Sequence, residues 1–144
     1  MKFVQVLVAA VGLLSPSVLM AQVPTELQGS YTGTASLDSY IGEFPQFQKC
    51  NVYLDVYANG NSNITLITEE ATLTGSGEAG LGAGGNLFVK YTVQGYPMSG
   101  RLAIKGGGGK AKLSGTIPIQ FGGYIGLIEA SKVKLKQGPL PSAW

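Results

Sequence analysis

Residues 86–136 alternate apolar and polar side chains, and glycine interrupts the alternation at three places. Leu87, Val89, Tyr91 and Val93 stand in phase, and Gly95-Tyr96-Pro97 turns the chain into Leu102 and Ile104. Four glycines at 106–109 lead to Ala111, Leu113, Gly115, Ile117 and Ile119, and Gly122-Gly123 leads to Ile125, Leu127, Val133 and Leu135. A period of two bounded by Gly and Pro marks strands with one buried face. Hairpin registers follow from it. Pairing Gln94 with Ser99 sets Tyr91 against Leu102 and Val89 against Ile104. Pairing Lys105 with Lys110 sets Leu102 against Leu113 and Ile104 against Ala111. Pairing Gln120 with Tyr124 sets Ile117 against Leu127 and Ile119 against Ile125. Each register keeps the apolar residues on one face, which a slide of one residue would destroy.

Upstream, residues 29–37 form a strand with Tyr31, Gly33, Ala35 and Leu37 on one face. The connection 38–48 is aromatic (Tyr40, Phe44, Phe47), and Pro45 opposes regular pairing there. Residues 50–57 form a second strand with Val52, Leu54 and Val56 inward. Asn59-Gly60 marks a hairpin. A two-residue loop would push Ile64 and Leu66 outward, whereas a three-residue loop, 59–61, sets Val56 against Ile64 and Leu54 against Leu66. Burial of one face selects the second. A third strand then spans 63–69, a fourth 71–75, and a glycine-rich loop 76–85. The expectation is an all-β chain forming a single eight-stranded antiparallel up-and-down barrel, because closure removes exposed edges. A β-sandwich is the alternative.

The N-terminus reads as a signal peptide over residues 1–21: Lys2 precedes an apolar run at 3–14, Ser15-Pro16 ends that run, and Ala21 offers a cleavage site. The apolar core is about half a bilayer span, too short for an anchor. A polar lead-in (22–28), the barrel domain (29–137) and a C-terminal tail (138–144) complete the expected division. Charged residues make up only 12% of the chain, with a net charge of +2, which is too weak for general nucleic-acid binding. Cys50 is the single cysteine, so there is no internal disulfide framework, and it reads as a small buried thiol beside Val52 and Leu54.

The start Gly29-Ser30-Tyr31-Thr32-Gly33-Thr34-Ala35 resembles the Gly-x-Tyr-x-Gly opening of calycin-like, lipocalin-type small barrels exported by bacteria. The Asn59-Gly60 hairpin and the late strand Leu113-Ser114-Gly115-Thr116-Ile117 are similar to the same pattern. The Gly-x-Trp near the first strand of better-known lipocalins is missing, so their ligand chemistry is not carried over. The resemblance implies an eight-stranded barrel outside the cytoplasm.

The chain has no histidine, which leaves neither a zinc site nor a nucleophile–histidine couple, and no cofactor or metal is expected. Glu69 and Glu70 are adjacent and would point to opposite faces of a strand. Gly75-Ser76-Gly77-Glu78-Ala79-Gly80 spells G-x-G-x-x-G, but no helix follows to hold a phosphate, so it reads as a flexible loop. Two surfaces remain. The barrel interior (Tyr31, Leu54, Leu66, Tyr91, Leu102, Leu113 and Leu127) is the candidate site for a small apolar molecule, with Gly33 and Gly115 leaving room. Lys110, Lys112, Lys132, Lys134 and Lys136 form a candidate face for an anionic partner, with Lys110 and Lys112 opposite Lys134 and Lys132. The leading expectation is a non-enzymatic exported barrel, periplasmic or extracellular, binding a small apolar ligand. Its rivals are an envelope interaction protein using the lysine face or the 40–47 loop, and a small outer-membrane barrel, against which the short segments and scattered aromatics count.

Overall fold

Eight strands follow one another in a computed structural model that describes residues 23–43, 46–107 and 109–138. They are β1 (Gly29–Ser39), β2 (Gln46–Val56), β3 (Asn61–Ile67), β4 (Thr72–Leu81), β5 (Leu87–Val93), β6 (Tyr96–Lys105), β7 (Lys112–Phe121) and β8 (Tyr124–Gly138). Each pairs antiparallel with its neighbour in sequence, and β8 returns to β1, so the sheet is a closed up-and-down barrel and not a sandwich. The expected signal peptide (1–21), Gln22, Phe44, Pro45, Gly108 and residues 139–144 lie outside the described residues.

Inward positions carry the apolar residues the alternation assigns to them. Tyr31, Val52, Leu54, Ile64, Leu66, Leu87, Val89, Tyr91, Leu102, Leu113 and Ile117 are at most 1% exposed and belong to one core. The outer wall is polar: Thr32, Thr34, Asn51, Thr74, Thr92 and Ser114 point away from it. Burying one face of each strand while water solvates the other is what holds a barrel of this size together.

Tight turns set the registers, and here the structure corrects several expectations. Gln94 and Gly95 both take positive φ, 50° and 85°, so β5 and β6 join through a two-residue turn, and Val93 pairs with Tyr96. Such a turn matches the twist of the flanking strands. Tyr96 and Pro97 therefore open β6, Tyr91 faces Met98 instead of Leu102, and Leu87 faces Leu102. Leu102 lies opposite Gly115, and Leu113 opposite Ile104, a slide of two residues. The β2–β3 loop is residues 58–60, with Leu54 opposite Ile64. These slides are even-numbered and leave every side chain on its expected face.

The last hairpin is different. Gln120 pairs with Ile125, one residue from the expected register, so Ile125 turns outward and is 71% exposed. An irregularity then takes up Gly126 and Leu127, and Ile128 and Ala130 become the inward residues. A bulge at Lys132, whose φ is +51°, shifts the phase again before Val133 and Leu135. Bulges of this kind bend a strand and re-aim its side chains.

Three segments expected to be irregular are ordered. β1 and β2 extend to Ser39 and Gln46, shortening the aromatic connection to residues 40–45. β4 runs on through Leu81, so the G-x-G-x-x-G segment is strand, not flexible loop. The lead-in is not a polar strap either. A 3-10 turn at Thr25–Leu27 seats Val23 and Leu27 in the core, where the Tyr31 hydroxyl donates to the Leu27 carbonyl at 2.6 Å.

Candidate functional site

Tyr31, Leu54, Leu66, Tyr91, Leu102 and Leu113 do converge inside the barrel, each buried to 1% exposure or less. Leu127 does not join them; the slipped register of β8 leaves it half-buried, and Ile128 packs on the core in its place. Gly33 and Gly115 make no room. A Cβ at Gly33 would fall 1.8 Å from the Lys134 carbonyl oxygen, and one at Gly115 2.7 Å from that of Arg101. These glycines let neighbouring backbone approach closely, as expected at barrel bends. The interior polar groups are likewise matched to partners. Ser62 Oγ donates to the Asp55 carbonyl at 2.6 Å and lies 2.7 Å from the Tyr91 hydroxyl, which must then donate to it. Burial pushes the Tyr31 phenol up to about 12 and raises that of Tyr91 further, so both stay neutral. Cys50 is 1% exposed, and burial raises its thiol out of the reactive range.

The lysine face is only partly assembled. Lys112 stands opposite Lys136, and Lys105 opposite Lys112, giving a row of three across β6, β7 and β8 at the lower end of the barrel, where β1 begins and β8 finishes. Lys134 lies opposite Ser114, not Lys110, and Lys110 sits in the β6–β7 loop. Lys132 is displaced by its bulge to the upper part of the barrel, on the wall shared by β1 and β8. Lys105, which completes the row, is missed by a pairing two residues out of register.

The upper end carries the feature with most chemistry. Of eight large apolar side chains exposed among the described residues, six lie there: Tyr40, Ile41, Phe47, Tyr96, Tyr124 and Ile125. Two-residue turns hold β5–β6 beside β7–β8, so Tyr96 packs on Phe121 with ring centroids 4.9 Å apart. Tyr40 meets Phe47 of the adjoining β2 edge-to-face at 5.8 Å, and across the closure seam its amide donates to the Leu127 carbonyl at 2.7 Å. Tyr124 and Ile125 are the most exposed, at 68% and 71%. Sequence reasoning placed Ile125 inside; the visible signal was the aromatic pair Phe121 and Tyr124 flanking two glycines.

Below this rim, Ser36, Asp38, Tyr40, Phe47, Glu129, Ser131 and Lys132 line a cleft of about 310 Å³. Asp38 is 4% exposed and accepts hydrogen bonds from the Ser36 and Ser131 hydroxyls. Glu129 lies directly across the strand pair from it, and the Tyr40 hydroxyl reaches Glu129 Oε1 at 3.5 Å. Desolvation, the charges of Asp38 and Glu129 and that hydrogen bond all raise the Tyr40 phenol, keeping it neutral. Two carboxylates face each other here, an arrangement that costs stability unless donors or cations offset it. The cleft therefore offers negative charge beside aromatic rings. Among the described residues no group of three His, Cys, Asp or Glu is placed to hold a metal ion. Comparison with protein-family models, with curated proteins and with solved structures returns no match.

Proposed function

We propose that this is an exported, non-enzymatic interaction protein, a barrel of calycin-like, lipocalin type in which the filled interior is scaffold and the upper rim makes contact. One observation carries the reading: six of the eight large apolar side chains exposed among the described residues stand at one end, while the wall between the ends, Tyr53 apart, is polar. Monomeric proteins scatter such residues singly, and gathering them marks a contact surface. The leader-like segment at 1–21 supports export. Hydroxyl and amide side chains on the outer wall suit water and not lipid. A small apolar ligand inside the barrel is the weaker reading, because large side chains fill that space, as they do in many barrels of eight strands. The lysine row serves as a solvated face that discourages association.

The test is photocrosslinking in the intact cell envelope from a reactive amino acid at position 124, compared with one at position 116 on the wall. Crosslinks from 124 alone are expected. Equal crosslinking from both positions, or none from either, would overturn the reading.

A further inference from the structure

Charge divides along the barrel axis. Around the rim stand Asp38, Glu43, Glu69, Glu70 and Glu129 against Lys49 and Lys132; the lower half has Lys90, Lys105, Lys110, Lys112, Lys134 and Lys136 against Glu26, Asp55 and Glu78. Closure of β1 on β8 also leaves no free edge strand, so a partner cannot add a strand and must be recognised through side chains. We infer that the rim docks a basic, amphipathic polypeptide segment of another protein. Its apolar residues lie on Tyr124, Ile125 and Tyr96, and a lysine or arginine side chain enters the cleft between Tyr40, Phe47 and Glu129.

This inference rests on the rim being the contact end and adds the chemistry of what it meets. Aromatic faces attract cations, and nearby carboxylates strengthen that attraction where water is partly excluded. Lys132 lines the same cleft, but it faces two carboxylates, Asp38 and Glu129. An anionic lipid surface would be repelled by the excess of acids. A second copy could offer its lysine row, yet the lower end presents only Tyr57 as a large exposed apolar residue.

The experiment uses the mature protein, isotope-labelled, with two synthetic amphipathic peptides of identical spacing, one of Leu and Lys and one of Leu and Glu. The Leu/Lys peptide should shift the amide resonances of residues 40–43, 94–96 and 121–129 and leave those of the lysine row unmoved. Its affinity should fall by about tenfold or more as salt rises to about 0.5 M, where surface charge is screened within a few ångströms. Replacing Glu69, Glu70 and Glu129 by Gln should weaken it by a similar factor, as should Tyr124→Ser with Ile125→Ser. Folding of the variants is checked by their unperturbed core resonances. Equal binding of the Leu/Glu peptide at the rim, or binding indifferent to salt and to the Gln variant, would overturn a basic partner while leaving the rim as the contact end. Tighter rim binding to zwitterionic vesicles than to the Leu/Lys peptide would replace the polypeptide with a lipid surface. Self-association lost in Lys105→Gln/Lys112→Gln/Lys136→Gln would replace it with a second copy. A rim unshifted by any probe overturns the inference alone if position 124 still crosslinks in cells, and both readings if it does not.

Discussion

Ser62 and Tyr91 lie on strands that are not neighbours, yet their hydroxyls meet at 2.7 Å over the top of Gly77. Gly77 pairs with Ser62 on one side and with Tyr91 on the other, so the three stand in one row across β3, β4 and β5. A Cβ at 77 would fall 1.9 Å from the Lys90 carbonyl oxygen, so glycine lets the backbones of β4 and β5 approach closely in the row that carries the buried hydrogen bond. Tyr91→Phe leaves Ser62 still bonded to Asp55 and should cost about 1 kcal/mol. Ser62→Ala strands a buried phenol and should cost more, roughly 1–3 kcal/mol. Denaturant unfolding of the two variants checks the order.

The glycines of the strands should be unequal in a way their identity does not reveal. Gly33→Ala and Gly77→Ala drive a methyl into a carbonyl of the adjoining strand, and each should lose at least about 3 kcal/mol, because backbone cannot rotate aside as a side chain can. Gly138→Ala meets nothing within 4 Å and should stay within about half a kcal/mol. Thermal unfolding of the three variants separates close approach from mere glycine content.

Alkaline pH should destabilise the barrel through its interior tyrosines. The folded pKa values of Tyr31 and Tyr91 are raised above the unfolded value of 10.0, so the folded state holds those protons more tightly. Their contribution is complete below about pH 10 and is lost as pH climbs through the folded values, at no more than about 1.4 kcal/mol per pH unit for each tyrosine. Stability measured from pH 8 upward should bend down near 10, and Tyr31→Phe with Tyr91→Phe should flatten the bend. An unchanged slope in that double variant would remove the tyrosines as the cause.

How much of this was legible beforehand depends on parity. Leu102 was expected opposite Leu113 and stands opposite Gly115, but a slide of two keeps both inside, so the core was readable although its pairs were not. Ile125 and Leu127 failed because the two-residue turn pairs Phe121 with Tyr124, an odd slide of one residue from the expected pairing, and nothing in their alternation announces it. The same blindness hid the rim, since Ile125 belongs to it. The G-x-G-x-x-G segment misled for another reason. Glycine is poor in strands by propensity, and only the crowding of Lys90 and Thr92 against it shows why strand β4 needs it there. Likewise, Val23 and Leu27 look like isolated apolar residues in a polar lead-in until the open end of the barrel is there to receive them.

The lysine row makes a prediction about salt. Lys105, Lys112 and Lys136 stand in direct register on three adjacent strands, and like charges so placed destabilise by a few tenths of a kcal/mol per pair. Added salt should therefore stabilise the wild-type protein slightly, and Lys112→Gln, which removes both pairings, should be more stable at low ionic strength and less responsive to salt. A wild-type protein that loses stability with salt would show that attraction elsewhere outweighs the row.

Gln137 decides whether the lead-in is part of the fold or merely rests on it. Its side-chain amide donates to the Glu26 and Gln28 carbonyls, each at 2.9 Å, while its Oε1 accepts from the Ala111 amide at 2.9 Å. One buried side chain therefore joins the N-terminal turn, the end of β8 and the residue entering β7, and its own amide donates to the Ala111 carbonyl at 2.8 Å. Gln137→Leu keeps most of the volume and removes all three side-chain bonds, leaving the Ala111 amide without its acceptor. The cost should be roughly 1–3 kcal/mol, concentrated at the lower end. Hydrogen exchange should accelerate at Leu27 and Ala111, the first freed as the turn loosens and the second as its acceptor is lost, while amides of β5 keep their protection, because local opening reports only the contacts that are removed. Acceleration spread evenly over all eight strands would instead make the N-terminal turn an inseparable part of one cooperative unit.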